Sequence, residues 1–144
     1  MELKLDNVLS FIFAGLATLT LKSQKTGVHY TYKIIKAQND PGDTRPGVFF
    51  VHLLTSEDDY NYIGIIPQDK PRKSLITTKK SALTRNSSPV KAFNFMLAQV
   101  QAGKQHQDLV IYHAGKCGRC GRELTTPESI ELGFGPVCAE KVFG

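Results

Sequence analysis

The chain reads as an α+β protein: a mostly antiparallel β-sheet covered by one helix, followed by a small cysteine-bearing module. Three observations predict this class. Short runs of β-branched and aromatic residues follow one another from Ala17 to Ile66 with only turns between them, the pattern of a meander rather than of βαβ units. One stretch, Ser88 to Gly103, carries apolar residues at helical spacing. All three cysteines, finally, lie between residues 117 and 138 of a 144-residue chain.

Each element has its own signal. Met1 to Asn7 reads as a lead-in. Val8 to Leu21 is too apolar, and too rich in β-branched and aromatic residues, to be solvated, and Ala17 to Lys22 alternates as a half-buried strand does. Ser23 to Gly27 supplies a turn, and Val28 to Ala37 a second strand, so the two form a hairpin. Asn39 to Gly47 is a Pro/Gly/Asp loop. The apolar run Val48 to Leu54 predicts a third strand buried on both faces. An acidic turn, Ser56 to Asp59, leads to a fourth strand, Tyr60 to Ile66, which Pro67 ends.

The helix is expected to start with Ser88 as N-cap and Pro89 in the first turn, and to stop at Gly103. Val90, Phe93, Met96, Leu97 and Val100 then share one apolar face, which suits the cover of a small sheet. Leu109 to Tyr112 is a last strand that delivers His113. This divides the chain into an α+β domain, 1–108, and a C-terminal module, 109–144.

In that module Cys117 and Cys120 are two residues apart and followed by Gly121, the spacing of a zinc knuckle. Cys138 comes two residues after Pro136, which suits the first turn of a helix, where free N–H groups favour a thiolate. A redox pair is the competing reading, but such a pair opens a long helix inside a βαβ unit, and no helical pattern starts here. Three cysteines cannot all pair in one chain as disulfides. His113, four residues before the knuckle, is the natural fourth ligand; otherwise it is a capping residue at a strand end. The expected site is a closed, structural Cys₃His zinc centre. Thr126 to Gly133 encodes a short capped helical turn that carries the chain from the knuckle to Cys138, as in a treble-clef-like zinc finger.

The run Cys-Gly-Arg-Cys-Gly-Arg-Glu-Leu-Thr-Thr-Pro-Glu-Ser-Ile-Glu-Leu-Gly-Phe-Gly-Pro-Val-Cys, residues 117–138, resembles a small zinc-binding module of unknown function. That module occurs in many phage, prophage and bacterial proteins, typically near the C-terminus of short chains. The resemblance implies a phage or mobile-element origin and zinc at Cys117, Cys120 and Cys138. It implies no activity.

Charge points to a partner. Lys70, Arg72, Lys73, Lys79, Lys80 and Arg85 stand against Asp69 alone, a local net of +5 that equals the net charge of the whole chain. So localised an excess acts as a directed field, although lysines that protect a sheet edge would give the same composition. Arg119 and Arg122 add charge on the knuckle. Tyr30 with Tyr32, and Tyr60 with Tyr62, alternate along strands, so each pair shares one face and can either fill a core or stack on unpaired bases.

No Gly-rich phosphate loop and no assignable Ser/His/Asp set is present in the sequence, so catalysis is not expected. No apolar run is long enough for a membrane helix and no secretory leader is evident, which leads to the expectation of a cytoplasmic protein, in a host cell if phage-encoded. The expected function is non-enzymatic binding of nucleic acid, DNA or RNA and preferentially single-stranded, through the basic stretch and the tyrosines. The alternative is binding to a host protein, as an inhibitor of a defence or nuclease complex.

Overall fold

The computed structural model describes residues 1–44 and 47–144. Arg45 and Pro46, part of the expected loop, lie outside the described residues. Five strands, β1 (Leu16–Ser23), β2 (His29–Lys36), β3 (Val48–Ser56), β4 (Asp59–Pro67) and β5 (Leu109–His113), form one sheet in the order β4-β3-β2-β1-β5. Every neighbouring pair is antiparallel. The fold is therefore α+β with an antiparallel sheet. Among the described residues no helix is long and apolar enough to cross a membrane.

Two helices, not one, cover the sheet. Besides α2 (Ser88–Gln101) there is α1 (Leu5–Ile12), where a lead-in and the start of a strand were expected. Val8, Phe11 and Ile12 of α1 are fully buried, at the i, i+3, i+4 spacing of a helix face. Helix α2 buries Val90, Phe93, Met96, Leu97 and Val100, as its periodicity predicted, and its N-cap is Ser87, one residue earlier than expected.

The register sorts the strand side chains. Ala17, Leu19 and Leu21 of β1 pair with Ile34, Tyr32 and Tyr30 of β2, and all lie on the face that α1 and α2 cover. Phe49, Val51 and Leu53 continue that face in β3. In β4 a one-residue bulge at Ile63 pairs Gly64 with Val51 but Tyr62 with His52. Without it Tyr62 would pair with Leu53 and point into the core, since one residue of slip exchanges the two faces of a strand.

Both edges of the sheet are covered by short segments. Glu2 pairs with Tyr112 of β5, and Ile76 pairs with Ile65 of β4 through bonds of 2.9 and 2.8 Å. The segment 68–87 that contains Ile76 is also held from α2. Asn94 accepts from Leu75 N–H (2.7 Å) and donates to its carbonyl (3.0 Å). Gln101, two turns further on, does the same for Lys73 at 2.6 and 2.8 Å. Two side-chain amides thus stand in for a neighbouring strand.

The C-terminal module contains α3 (Pro127–Leu132) and α4 (Pro136–Phe143). Thr126 caps α3 by accepting from Ser129 N–H at 3.2 Å. The hydrophobic cluster runs without a break from α1 and the sheet into Cys117, Leu124, Phe134 and Cys138, across the 108/109 boundary expected from sequence. Phe11 makes the join. A Cβ on Gly118 would lie 2.6 Å from its ring, and one on Gly133 would lie 2.8 Å from it, so both backbone segments approach where only glycine fits. Phe134 meets the same ring at 5.9 Å.

Candidate functional site

The sulfurs of Cys117, Cys120 and Cys138 lie within 4.8 Å of one another. Cys117 and Cys120 come from the knuckle turn, in which Gly121 N–H donates to the Cys117 carbonyl at 2.9 Å. Cys138 comes from the first turn of α4, where Pro136 at the helix start was expected to place it. Cys117 and Cys138 are buried and Cys120 is exposed.

The environment suits thiolates held by a cation. Burial opposes ionisation of Cys117, but the backbone N–H groups of Cys120, Gly135 and Arg119 outweigh it and hold the thiol down at about 7. Cys138 is pushed up, first by burial and then by the neighbouring sulfurs, against the Arg119 guanidinium, whose Nη1 lies 3.6 Å from its Sγ. Three sulfurs this close cannot all ionise alone, whereas a divalent ion would stabilise all three charges. The donor set fits a thiophilic metal such as zinc.

His113 is not brought into this set. Its Nδ1 accepts from Gly115 N–H at 2.9 Å and its Nε2 donates to the Ile130 carbonyl at 2.6 Å. Both ring nitrogens are therefore committed to backbone, and the ring packs 5.7 Å from that of Phe11. Burial, and secondarily the positive N-terminus, hold its pKa below the usual value against the Ile130 bond. The histidine expected as fourth ligand instead ties β5 to α3.

The second feature is the face of the sheet opposite the helices. Rows of paired residues cross it. Leu16, Ile35, Phe50 and Ile65 form one, and Thr18, Lys33, His52 and Tyr62 the next. Phe50 is 38% exposed, so the expectation that β3 is buried on both faces does not hold. The Phe50 and His52 rings lie 6.2 and 5.9 Å from that of Tyr62. Lys33 Nζ sits 4.2 Å above the Tyr60 ring. Phe50, His52, Tyr62 and Lys80 line a recess of about 340 Å³. The pKa of His52 is lowered, first by partial burial and then by the charge of Lys33.

The predicted tyrosines divide between the two faces. Tyr60 and Tyr62 are on the open one, where Tyr62 Oη lies 2.9 Å from Thr78 Oγ1. Tyr32 is fully buried, 4.9 Å from Phe93, with its hydroxyl donating to the Pro89 carbonyl at 2.7 Å. Tyr30 packs beside it in a hollow with Ala92 and Leu109. Tyr32 is thus not available to stack on a base, and Tyr30, partly buried, lies on the helix-covered side away from Tyr60 and Tyr62.

The basic stretch divides as well. Lys80 borders the aromatic recess and Lys79 beside it is exposed. Lys70 and Arg85 are exposed, and Arg72 lines a separate hollow against Ala98 and Gln101 of α2. Lys73 is used internally, its ammonium donating to the Gln68 and Lys70 carbonyls at 2.6 and 2.5 Å. Arg119 faces Cys138, and Arg122 is exposed on the knuckle. Phe50, His52 and Lys33 were missed by sequence reasoning. The available signal was His52 itself, a polar residue inside an apolar run, which marks the alternate positions of β3 as partly solvated.

The knuckle borders the open face. A Cβ on Gly121 would lie 2.9 Å from the Leu16 side chain, and Leu16 begins the apolar row. At the other end of that row Ile65 pairs with Ile76 of the basic segment.

Comparison with known proteins bears on the C-terminal module alone. Residues 107–143 match a family described as a family of unknown function, DUF6011. No curated protein and no solved structure matches the chain.

Proposed function

We propose that the protein binds single-stranded nucleic acid across the open face of its sheet, and that zinc on Cys117, Cys120 and Cys138 fixes the module bordering that face. The observation that carries this reading is the grouping of Phe50, His52, Tyr60 and Tyr62 with Lys33 and Lys80 on one exposed surface. Flat rings on a rigid sheet offer π-faces to bases of any identity, and the ammonium groups beside them meet the phosphates between those bases. Lys79, next to Lys80, and Arg122, next to the Gly121 that meets Leu16, add exposed positive charge beside the face. On this reading the chain performs no covalent chemistry; it holds its partner. Fluorescence anisotropy with labelled oligo-dT, oligo-rU and a matched duplex tests it. Saturable binding at low salt, weaker for the duplex, is expected. Absence of binding to all three at low salt, together with a stable complex with a host protein, would replace this reading by that of a protein-binding inhibitor.

A further inference from the structure

We infer that the metal centre takes its fourth donor from outside this chain, and that a neutral nitrogen donor of the imidazole class can fill the position. The inference rests on the metal reading of the three cysteines and is independent of the nucleic-acid reading. Zinc bound by thiolates is almost always four-coordinate. Among the described residues no His, Asp, Glu or further Cys joins Cys117, Cys120 and Cys138 in a common group. The one histidine near in sequence, His113, has both nitrogens engaged by Gly115 and Ile130. Cys120 is exposed, so the trio is reachable from solvent.

Charge selects the class of donor. Three thiolates and one divalent ion leave a single negative charge, which the Arg119 guanidinium beside Cys138 offsets. Water or an imidazole completes the shell without adding charge; a carboxylate or a fourth thiolate would add one. In the isolated protein the position holds water, and the histidine of a partner can replace it.

The test uses the full chain loaded with cobalt(II), whose visible ligand-field bands report the donor set. Titration of the wild-type protein with imidazole should shift those bands saturably. In His113→Gln the bands should stay as in the wild type while the melting temperature falls, because the ring acts as a strut. Bands that ignore imidazole, or bands that change in His113→Gln, mean that the chain supplies four donors and overturn the inference. Failure to bind cobalt at all overturns the metal site with it and leaves oligonucleotide binding to be judged separately.

Discussion

Phe50 and Tyr62 stand on adjacent strands with their rings nearly edge to face, 6.2 Å apart, on the side of the sheet that α1 and α2 leave open. The bulge at Ile63 brings them together by turning Tyr62 out of the core and into line with His52. A bulge that re-aims a side chain in this way is a common device beside binding sites.

Truncating the platform should therefore weaken binding without unfolding the protein. Phe50→Ala and Tyr62→Ala are each expected to cost about 1–3 kcal/mol of single-strand affinity, the usual worth of a base–aromatic stack, with the melting temperature little changed. Tyr32→Ala should behave in the opposite way. It removes a fully buried ring and leaves the Pro89 carbonyl without its donor, so a loss of about 3–5 kcal/mol of stability is expected. Thermal melts beside anisotropy titrations separate the two kinds of variant.

Charge should act through salt. Each neutralised phosphate contributes about −0.7 to the log–log salt slope of single-strand binding, so the double reversal Lys79→Glu and Lys80→Glu should flatten it by roughly 1.4. Phe50→Ala should leave the slope unchanged. Lys73→Ala is expected to loosen the segment around it, since its ammonium holds two carbonyls there, and to leave the slope alone.

Metal removal should reach beyond the cysteines. Chelation, or Cys117→Ser, should release one zinc per chain and expose the amides of 117–143 to hydrogen exchange, because structural zinc contributes about 10–16 kcal/mol of apparent binding energy in small fingers. Phe11 rests on Gly118, Gly133 and Phe134, so protection in α1 should fall as well. Strands β2 to β4, on the far side of the sheet from β5, should keep theirs. Hydrogen exchange read by mass spectrometry shows whether the loss follows this division.

Two histidines, His113 buried and His52 partly buried, set an acid limit. His113 and His52 are both held below the ordinary value of 6.5, chiefly by burial, so the unfolded chain binds more protons than the folded one once the pH drops below that value. Their contribution to stability is complete above about 6.5 and is lost as the pH falls through their folded values. Denaturant midpoints measured between pH 7.5 and 5 should decline, and His52→Gln should flatten part of that decline while the metal ligands remain intact.

The sequence made the β1–β2 hairpin, helix α2 and the cysteine trio legible because each carries a local signal: alternation, helical spacing, or metal-ligand spacing with Pro136 ahead of Cys138. Helix α1 was hidden because Val8, Phe11 and Ile12 run straight into the apolar strand that follows, which blurs the change of period. Tyr30 with Tyr32, and Tyr60 with Tyr62, have the same spacing, yet the first pair lies on the helix-covered face and the second on the open one. Which face a helix covers, and a bulge that reverses parity at Ile63, are tertiary facts that no local pattern carries. His113 misled for a similar reason: its nearness in sequence to Cys117 says nothing of the carbonyl of Ile130, which engages its Nε2.

The most direct test of the open face as the binding surface is a two-dimensional NMR titration of the zinc-loaded protein with a short single-stranded oligonucleotide at low salt. Shifts should converge on Lys33, Phe50, His52, Tyr60, Tyr62 and Lys80, with the ring protons of Phe50 and Tyr62 moving most. The buried residues of α2 should stay still. Shifts confined to α2 and the hollow around Arg72, or a spectrum unchanged at saturating oligonucleotide, would contradict it.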